Sequence, residues 1–305
     1  MILEDVVAIV VRRSGLEALL CRTLHRRKVG VIVYHDPPPQ LFEEHMRFLS
    51  KRYSFVTMTQ LAAALRSDDW SEMPANALVI TFDDGHRRNR ELHSIFERYG
   101  VRPTMYLCSG VVRGNGLFWF RMPGVDPAPL KFMTQAERRA ALSTVGAQSE
   151  GGLQRHAVTP NEVRALADVV EFGSHTVSHP ILPLCSDAEA ADEIDRSRSE
   201  VEELSGSVCY HFCYPNGDYT EREITLAKEA GYVSARTTEA GWNGPGTDPM
   251  RIRIVSGADH ASVDMLATHL TGLFRLRRLI ADRLHRRRLR ARVTSTRDPR
   301  QPAEP

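Results

Sequence analysis

Five cysteines in 305 residues, Cys21, Cys108, Cys185, Cys209 and Cys213, form an odd set with no Cys-x-x-Cys spacing. That excludes a disulfide-built scaffold and a zinc knuckle, and it suits a reducing compartment. Long apolar runs are missing too. Val6–Val11 follows Glu4 and Asp5 and precedes Arg12 and Arg13, too short a run and the wrong charge order for a secretory signal. Nothing approaches the ~20 apolar residues of a membrane span. No internal repeat is visible, which removes solenoid and array architectures. The expected compartment is the cytoplasm.

The content that is present, 42% hydrophobic and 26% charged, describes an ordinary globular chain and excludes disorder and collagen. The net charge of +2 hides an asymmetry. Residues 275–305 hold eleven arginines against Asp282, Asp298 and Glu304, a net +8, which leaves residues 1–274 at −6. Charge runs of this kind are usually just solvated; peripheral contact with an anionic membrane is the alternative function for the tail. It lacks interleaved aromatics and any nucleic-acid motif, so nucleic acid is not the expected partner.

From Val29 onward, short apolar runs alternate with helical patterns, the signature of repeated β-α units. The runs predict strands at Val29–His35, Ser54–Thr57, Ala77–Phe82, Pro103–Cys108, Val169–Phe172, Val208–Tyr214, Tyr232–Ala235 and Ile252–Val255. Apolar residues at three and four spacing predict helices at Leu41–Lys51, Gln60–Arg66, Arg88–Tyr99, Thr134–Val145, Pro160–Ala167, Asp187–Leu204, Glu221–Ala230 and across 262–290. Thr159-Pro-Asn-Glu162 and Ser186-Asp-Ala-Glu189 read as capping boxes. The strands are near-continuous apolar runs, so both faces should be covered, as in a parallel sheet. The expected architecture is α/β: a distorted (β/α) barrel of seven or eight mostly parallel strands in a single catalytic domain. It would span residues 29–274, after an N-terminal segment at 1–28 and before the tail at 275–305. Residues 110–158 break the rhythm with repeated Gly and Pro, and are expected to form an insertion on the barrel rim, its Phe118-Trp-Phe120 cluster acting as a packing plug.

Three segments carry chemistry. Thr81-Phe-Asp-Asp-Gly85 closes an apolar run with two adjacent carboxylates. Neighbouring side chains on a regular strand point to opposite faces, so Asp83 and Asp84 can meet at one centre only where the strand gives way to a loop. A bland reading has Asp84 capping the helix that follows. His175-Thr-Val-Ser-His179 also follows an apolar run. Two imidazoles four positions apart reach a common ion if the segment makes one turn, and with one carboxylate they suit Zn²⁺, or Co²⁺, Ni²⁺ or Fe²⁺. The third segment, Tyr214-Pro-Asn-Gly217, is a tight turn whose backbone N–H groups could stabilise an oxyanion.

In their order, these three motifs resemble the polysaccharide deacetylases, the group that includes chitin, xylan and peptidoglycan deacetylases, over about residues 29–255. The resemblance implies a distorted (β/α) barrel and one divalent metal, with Asp83 as catalytic base. It further implies Asp84, His175 and His179 as metal ligands, and an oxyanion-stabilising amide from Asn216. The substrate it implies is an N-acetylated amino sugar, free, lipid-linked or polymeric. Two departures stand out. Cys213 occupies the place of an Arg that orients the base in many members, so Arg251 or Arg253 is expected to take over that work. The downstream Leu-x-His motif for the general acid is not evident. A subgroup carries Tyr-His on the first strand, which Tyr34-His35 matches, so His35 is the first choice for the acid and His260 the second. The rival readings are a metal-dependent hydrolase of a non-sugar amide, and a catalytically degenerate barrel that holds sugar on Trp119 or Trp242.

Overall fold

In the computed structural model, the described residues are 3–15, 19–20, 23, 25, 27–146, 154–272 and 288. Among these residues, nine strands form one sheet: β1 Val29–Tyr34, β2 Ser54–Phe55, β3 Ala77–Phe82, β4 Thr104–Leu107, β5 Glu171–Ser174, β6 His211–Cys213, β7 Ser234–Ala240, β8 Ile252–Ile254 and β9 Ser256–Gly257. Every pairing between these strands is parallel. The hydrogen-bonded path runs β8-β7-β6-β5-β4-β3-β1-β9, with β2 pairing β3 off it.

The barrel is nearly closed by a single stretch of chain. β8 pairs with β7, and β9, two residues later, pairs with β1. Val255 N–H donates to Val31 O at 2.8 Å and Ala258 N–H to Val33 O at 2.9 Å. This near closure leaves little free sheet edge to protect.

The continuous apolar runs have a direct cause in packing. Val29, Val31, Val33, Ala77 and Val79 join Ile252, Ile254, Met58 and Leu61 in one buried cluster. The alternate residues Ile32, Tyr34, Leu78, Ile80 and Phe82 join Phe42, Met46 and Phe96, from the helices Pro39–Leu49 and His93–Tyr99, in another. With a period of two, both faces are covered.

Helices begin where the side chains predict. Thr159 and Ser186 close capping boxes with Glu162 and Glu189, and Thr57 and Thr220 do the same with Gln60 and Glu223. Some boundaries differ from expectation for local reasons. β5 starts at Glu171 because Val169 and Val170 N–H both turn back to Leu166 O, closing the preceding helix. Arg87–Leu92 form a 3-10 turn, and the regular helix is only His93–Tyr99. The final helix is described as Val263–Thr271; the rest of the expected 262–290 helix and nearly all of the tail at 275–305 lie outside the described residues.

An N-terminal helix, Leu3–Arg13, was not expected. It lies against Val263–Thr271 and is tied to it by an ion pair between Arg12 and Asp264. Among the described residues, no helix is long and apolar enough to cross a membrane.

Candidate active site

The chemistry-bearing residues gather at the carboxyl ends of the strands, where parallel α/β barrels build their sites. Asp83 and Asp84 follow β3, His175 follows β5, Cys213 ends β6, Arg236 lies on β7, His35 follows β1 and Asp259 follows β9. Backbone strain concentrates there. Asp84 (φ 68°), Thr176 (φ 67°), His179 (φ 57°) and Asn216 (φ 54°) all occupy the left-handed region without being glycine. At Asp84 this conformation turns the chain abruptly after the strand, so that two successive carboxylates serve one centre. Asp84 caps no helix; the following 3-10 turn starts after His86 with no side-chain cap.

Asp84 Oδ1 lies 3.5 Å from His175 Nε2 and 3.5 Å from His179 Nε2. The three side chains are buried and bring their donor atoms within 4.8 Å of one another. His175 Nδ1 is 2.7 Å from Cys213 O, a contact that requires a proton on Nδ1 and leaves the Nε2 lone pair facing Asp84. Burial lowers the His175 pKa and takes His179 down to about 3, so both rings are neutral at pH 7. Burial works to raise the Asp84 pKa, but the His86 hydrogen bond and the surrounding imidazoles hold it far below the ordinary carboxylate range. The site is therefore a carboxylate with two neutral imidazoles.

The loop between the two histidines is held from behind by Glu193, in the middle of helix Asp187–Ser205. It accepts from the Val177 and Ser178 N–H groups, each at 2.9 Å. Nothing in the local sequence marks Glu193, because its role depends on a helix packing behind a distant loop.

Asp83 is held by a residue that sequence reasoning missed. Its Oδ2 accepts from Arg236 Nη2 and lies 3.9 Å from Cys213 Sγ, while its Oδ1 has no hydrogen-bond partner among the described residues. Arg236 is fully buried, and its guanidinium lies 5.5 Å from the Tyr106 ring centroid. The expectation of Arg251 or Arg253 is corrected. Arg251 pairs with Glu221, and Arg253 lies against Gly241. Arg236 sits in Ser-Ala-Arg-Thr-Thr-Glu-Ala, a strand too polar to announce itself. Asp83, His175 and Cys213 also bring donor atoms within 4.8 Å, but there the Arg236 guanidinium already sits against Asp83 and Cys213.

His35 stands at the mouth with its side chain 46% exposed. Its Nε2 is 3.9 Å from Asp83 Oδ2 and its Nδ1 is 2.9 Å from Asp259 Oδ2. Burial works to lower its pKa, but the Asp259 hydrogen bond and the charges of Asp83 and Asp84 raise it to about 9. His260, beside Asp259, is exposed. Asn216 follows Pro215 in the turn after β6, with its amide Nδ2 buried and without a partner among the described residues.

The segment between β4 and β5 reaches the site. The Phe120 and Phe118 ring centroids lie 4.8 Å from those of His179 and His86, and Trp119 Nε1–H donates to His179 O at 2.9 Å. Trp242 lies at the other end of the barrel, where it crowds Gly30 at the start of β1 and stacks on His25 at 4.3 Å. Neither tryptophan is an open platform at the mouth, and the degenerate sugar-binding reading loses its support.

Solved structures share this fold. The Streptococcus pyogenes deacetylase PplD in complex with acetate is 16% identical, with a TM-score of 0.61 over 80% of this chain and 99% of that one. IcaB from Ammonifex degensii is 15% identical, with a TM-score of 0.61 over 80% and 97% of the two chains. A de-N-acetylase from Aggregatibacter actinomycetemcomitans is 15% identical, with a TM-score of 0.61 over 79% and 99%. The family model for polysaccharide deacetylase matches residues 71–235, more than half of the sequence and both the Asp-Asp and His-x-x-x-His segments, and the chain belongs to that family of deacetylase hydrolases.

Proposed function

We propose that the protein is a metal-dependent hydrolase that removes the N-acetyl group from an amino sugar in a polysaccharide, oligosaccharide or glycolipid precursor. One observation carries the reading: a single oxygen of Asp84 stands 3.5 Å from two neutral imidazole nitrogens, and beside it Asp83 is clamped through one oxygen while the other is left without a partner.

The residues fit a divalent cation. The Nε2 lone pair of His175 faces the Asp84 carboxylate, and His179 Nε2 converges on the same oxygen, an arrangement that is costly when buried unless a cation joins it. Asp84, His175 and His179 would hold the ion, and the mixed oxygen and nitrogen donors suit zinc, with cobalt, nickel and iron accepted by the same set. When bound, such an ion polarises the acyl carbonyl and lowers the pKa of an adjacent water to roughly 7.

The chain's own groups do the proton work. Asp83 Oδ1 takes the proton from the attacking water, while Arg236 keeps Oδ2 engaged and fixes the carboxylate plane. His35 enters protonated, because Asp259 holds Nδ1, and donates from Nε2 to the leaving nitrogen. The amide after Pro215, at Asn216, is assigned to the developing oxyanion. Water adds to the carbonyl carbon, the C–N bond breaks, and acetate and a free amine leave. The cysteines Cys108, Cys185, Cys209 and Cys213 are buried and unpaired, in keeping with a reducing compartment and hence with a precursor rather than finished wall polymer as substrate.

The test is metal content together with acetate release from a panel of N-acetyl amino sugars, for the wild type and Asp83→Asn. A metal-loaded wild type that releases acetate, with an inactive variant that still holds metal, is expected. A wild type that binds no divalent cation and cleaves no amide would overturn the reading.

A further inference from the structure

Asp84 has a third imidazole neighbour that the metal reading does not use. His86 is 2% exposed, and its Nε2 lies 3.1 Å from Asp84 Oδ2, the oxygen turned away from His175 and His179. His86 is not one of the close donor groups found among the described residues, which are Asp84 with His175 and His179, and Asp83 with His175 and Cys213. It touches a ligand without being one.

The far side of the ring is equally defined. His86 Nδ1 lies 3.3 Å from Arg121 Nη1, and the same Nη1 donates to Asp36 Oδ2 at 3.0 Å. A guanidinium can only donate, so Nδ1 must present its lone pair and the proton must sit on Nε2, where it is donated to Asp84. Phe118 packs edge-on against the ring at 4.8 Å. Arg121 and Phe118 both belong to the rim insertion, whereas His86 and Asp84 follow β3. Asp36, just beyond β1, completes the chain from Asp36 through Arg121 and His86 to Asp84.

We propose that His86 is a positioning residue that fixes the metal-ligating carboxylate through Oδ2, in a tautomer imposed by Arg121 of the rim insertion. The inference rests on Asp84 being a metal ligand, as proposed above. A carboxylate held on one oxygen presents the other in a fixed direction. Partners of this kind, one step behind the ligands, typically change metal affinity by about 10–100-fold when removed. The rim insertion thus does more than pack: it supplies the donor that sets the proton on the ring.

The experiment measures Co²⁺ and Zn²⁺ affinity by titration of the metal-stripped full chain. Wild type is compared with His86→Ala, His86→Gln, Arg121→Ala and the His86→Ala/Arg121→Ala pair, and thermal unfolding of each stripped chain is recorded. His86→Ala is expected to weaken metal binding about 10–100-fold, with most of the rate recovered at saturating metal. His86→Gln, whose amide N–H can reach where Nε2 stood, should recover part of the affinity. Arg121→Ala should weaken binding less, and the double variant should be no weaker than His86→Ala alone, because Arg121 acts only through the ring.

If His86→Ala folds and binds metal like the wild type, or if the two losses multiply independently, the positioning role is overturned while the metal site stands. Should His86→Ala fail to fold, the affinities of His86→Gln and Arg121→Ala decide, and wild-type binding in both overturns it. A wild type that binds neither ion overturns the metal reading itself and this inference with it.

Discussion

Arg236 is the cross-strand register partner of Cys213, and its guanidinium reaches past the Cys213 sulfur to grip Asp83. With Cys213 standing on β6, the cation for Asp83 is supplied from β7, one strand over at the same level of the barrel. The ion pair is buried, with the Arg236 side chain 1% and the Asp83 side chain 8% exposed.

Replacing Arg236 by Met should therefore leave Asp83 buried and uncompensated. The expected cost is about 3–5 kcal/mol in unfolding free energy, read from denaturant midpoints, together with loss of most of the turnover. Because the two positions are paired across the strands, Cys213→Arg combined with Arg236→Cys should restore part of both. A single Arg236→Met variant with wild-type turnover would show that Asp83 is not oriented by this contact.

Asp83→Asn should keep its metal and lose activity by about 10²–10⁴-fold, the usual contribution of a positioned base. His175→Ala and His179→Ala should lose metal and activity together. Metal analysis alongside acetate release separates these outcomes, and a chelator should abolish wild-type activity reversibly.

As the proposed general acid, His35 should set the alkaline side of the rate profile. Its pKa is raised to about 9, so the acid is present at pH 7 and is lost as pH rises through that value. A divalent cation at Asp84 offsets part of the carboxylate charge that raises it, which places the alkaline limb at or below about 9. Asp259→Asn should move the limb down toward the ordinary histidine range, and His35→Gln should remove it. The same sign governs stability: the His35–Asp259 pair contributes fully below the ordinary histidine pKa, and its contribution fades as pH climbs toward about 9.

Glu171 should contribute to the acid side of stability from the opposite end of the barrel. It begins β5, and it accepts from Thr104 Oγ1 at 2.6 Å and from Thr59, with His211 Nε2 at 3.5 Å. Burial works to raise its pKa, but His211 and the two hydroxyls bring it down to about 2. A depressed carboxylate contributes stability that is present above its unfolded value of about 4.5 and is lost as pH falls toward 2. The contribution is about 3 kcal/mol. Glu171→Gln should lower stability at pH 7 and flatten its fall between pH 5 and 2 in acid titrations followed by circular dichroism.

Much of the frame was legible because its causes are local. Apolar runs of strand length, capping boxes at Thr159 and Ser186, and carboxylates or paired imidazoles directly after apolar runs each state their chemistry within a few residues. β7 was read too short because Arg236, Thr237 and Thr238 carry no apolar pattern; they are tolerated inside because Arg236 meets Asp83 and Thr237 Oγ1 donates to Ile252 O. The helix Leu3–Arg13 went unread because only its distant partner, Val263–Thr271, gives it a surface to cover.

The sequence alone determined that strands alternate with helices, that Asp83 and Asp84 end one strand, and that His175 and His179 follow another. Those features depend on neighbours in the chain and on the period of apolar residues. Tertiary structure alone decided which cation faces Asp83, which acid holds His35, and that His86 and Arg121 stand behind Asp84. Each of these pairs joins positions on different strands or on the rim insertion, and only barrel closure, with its register, sets which side chains arrive at the same height.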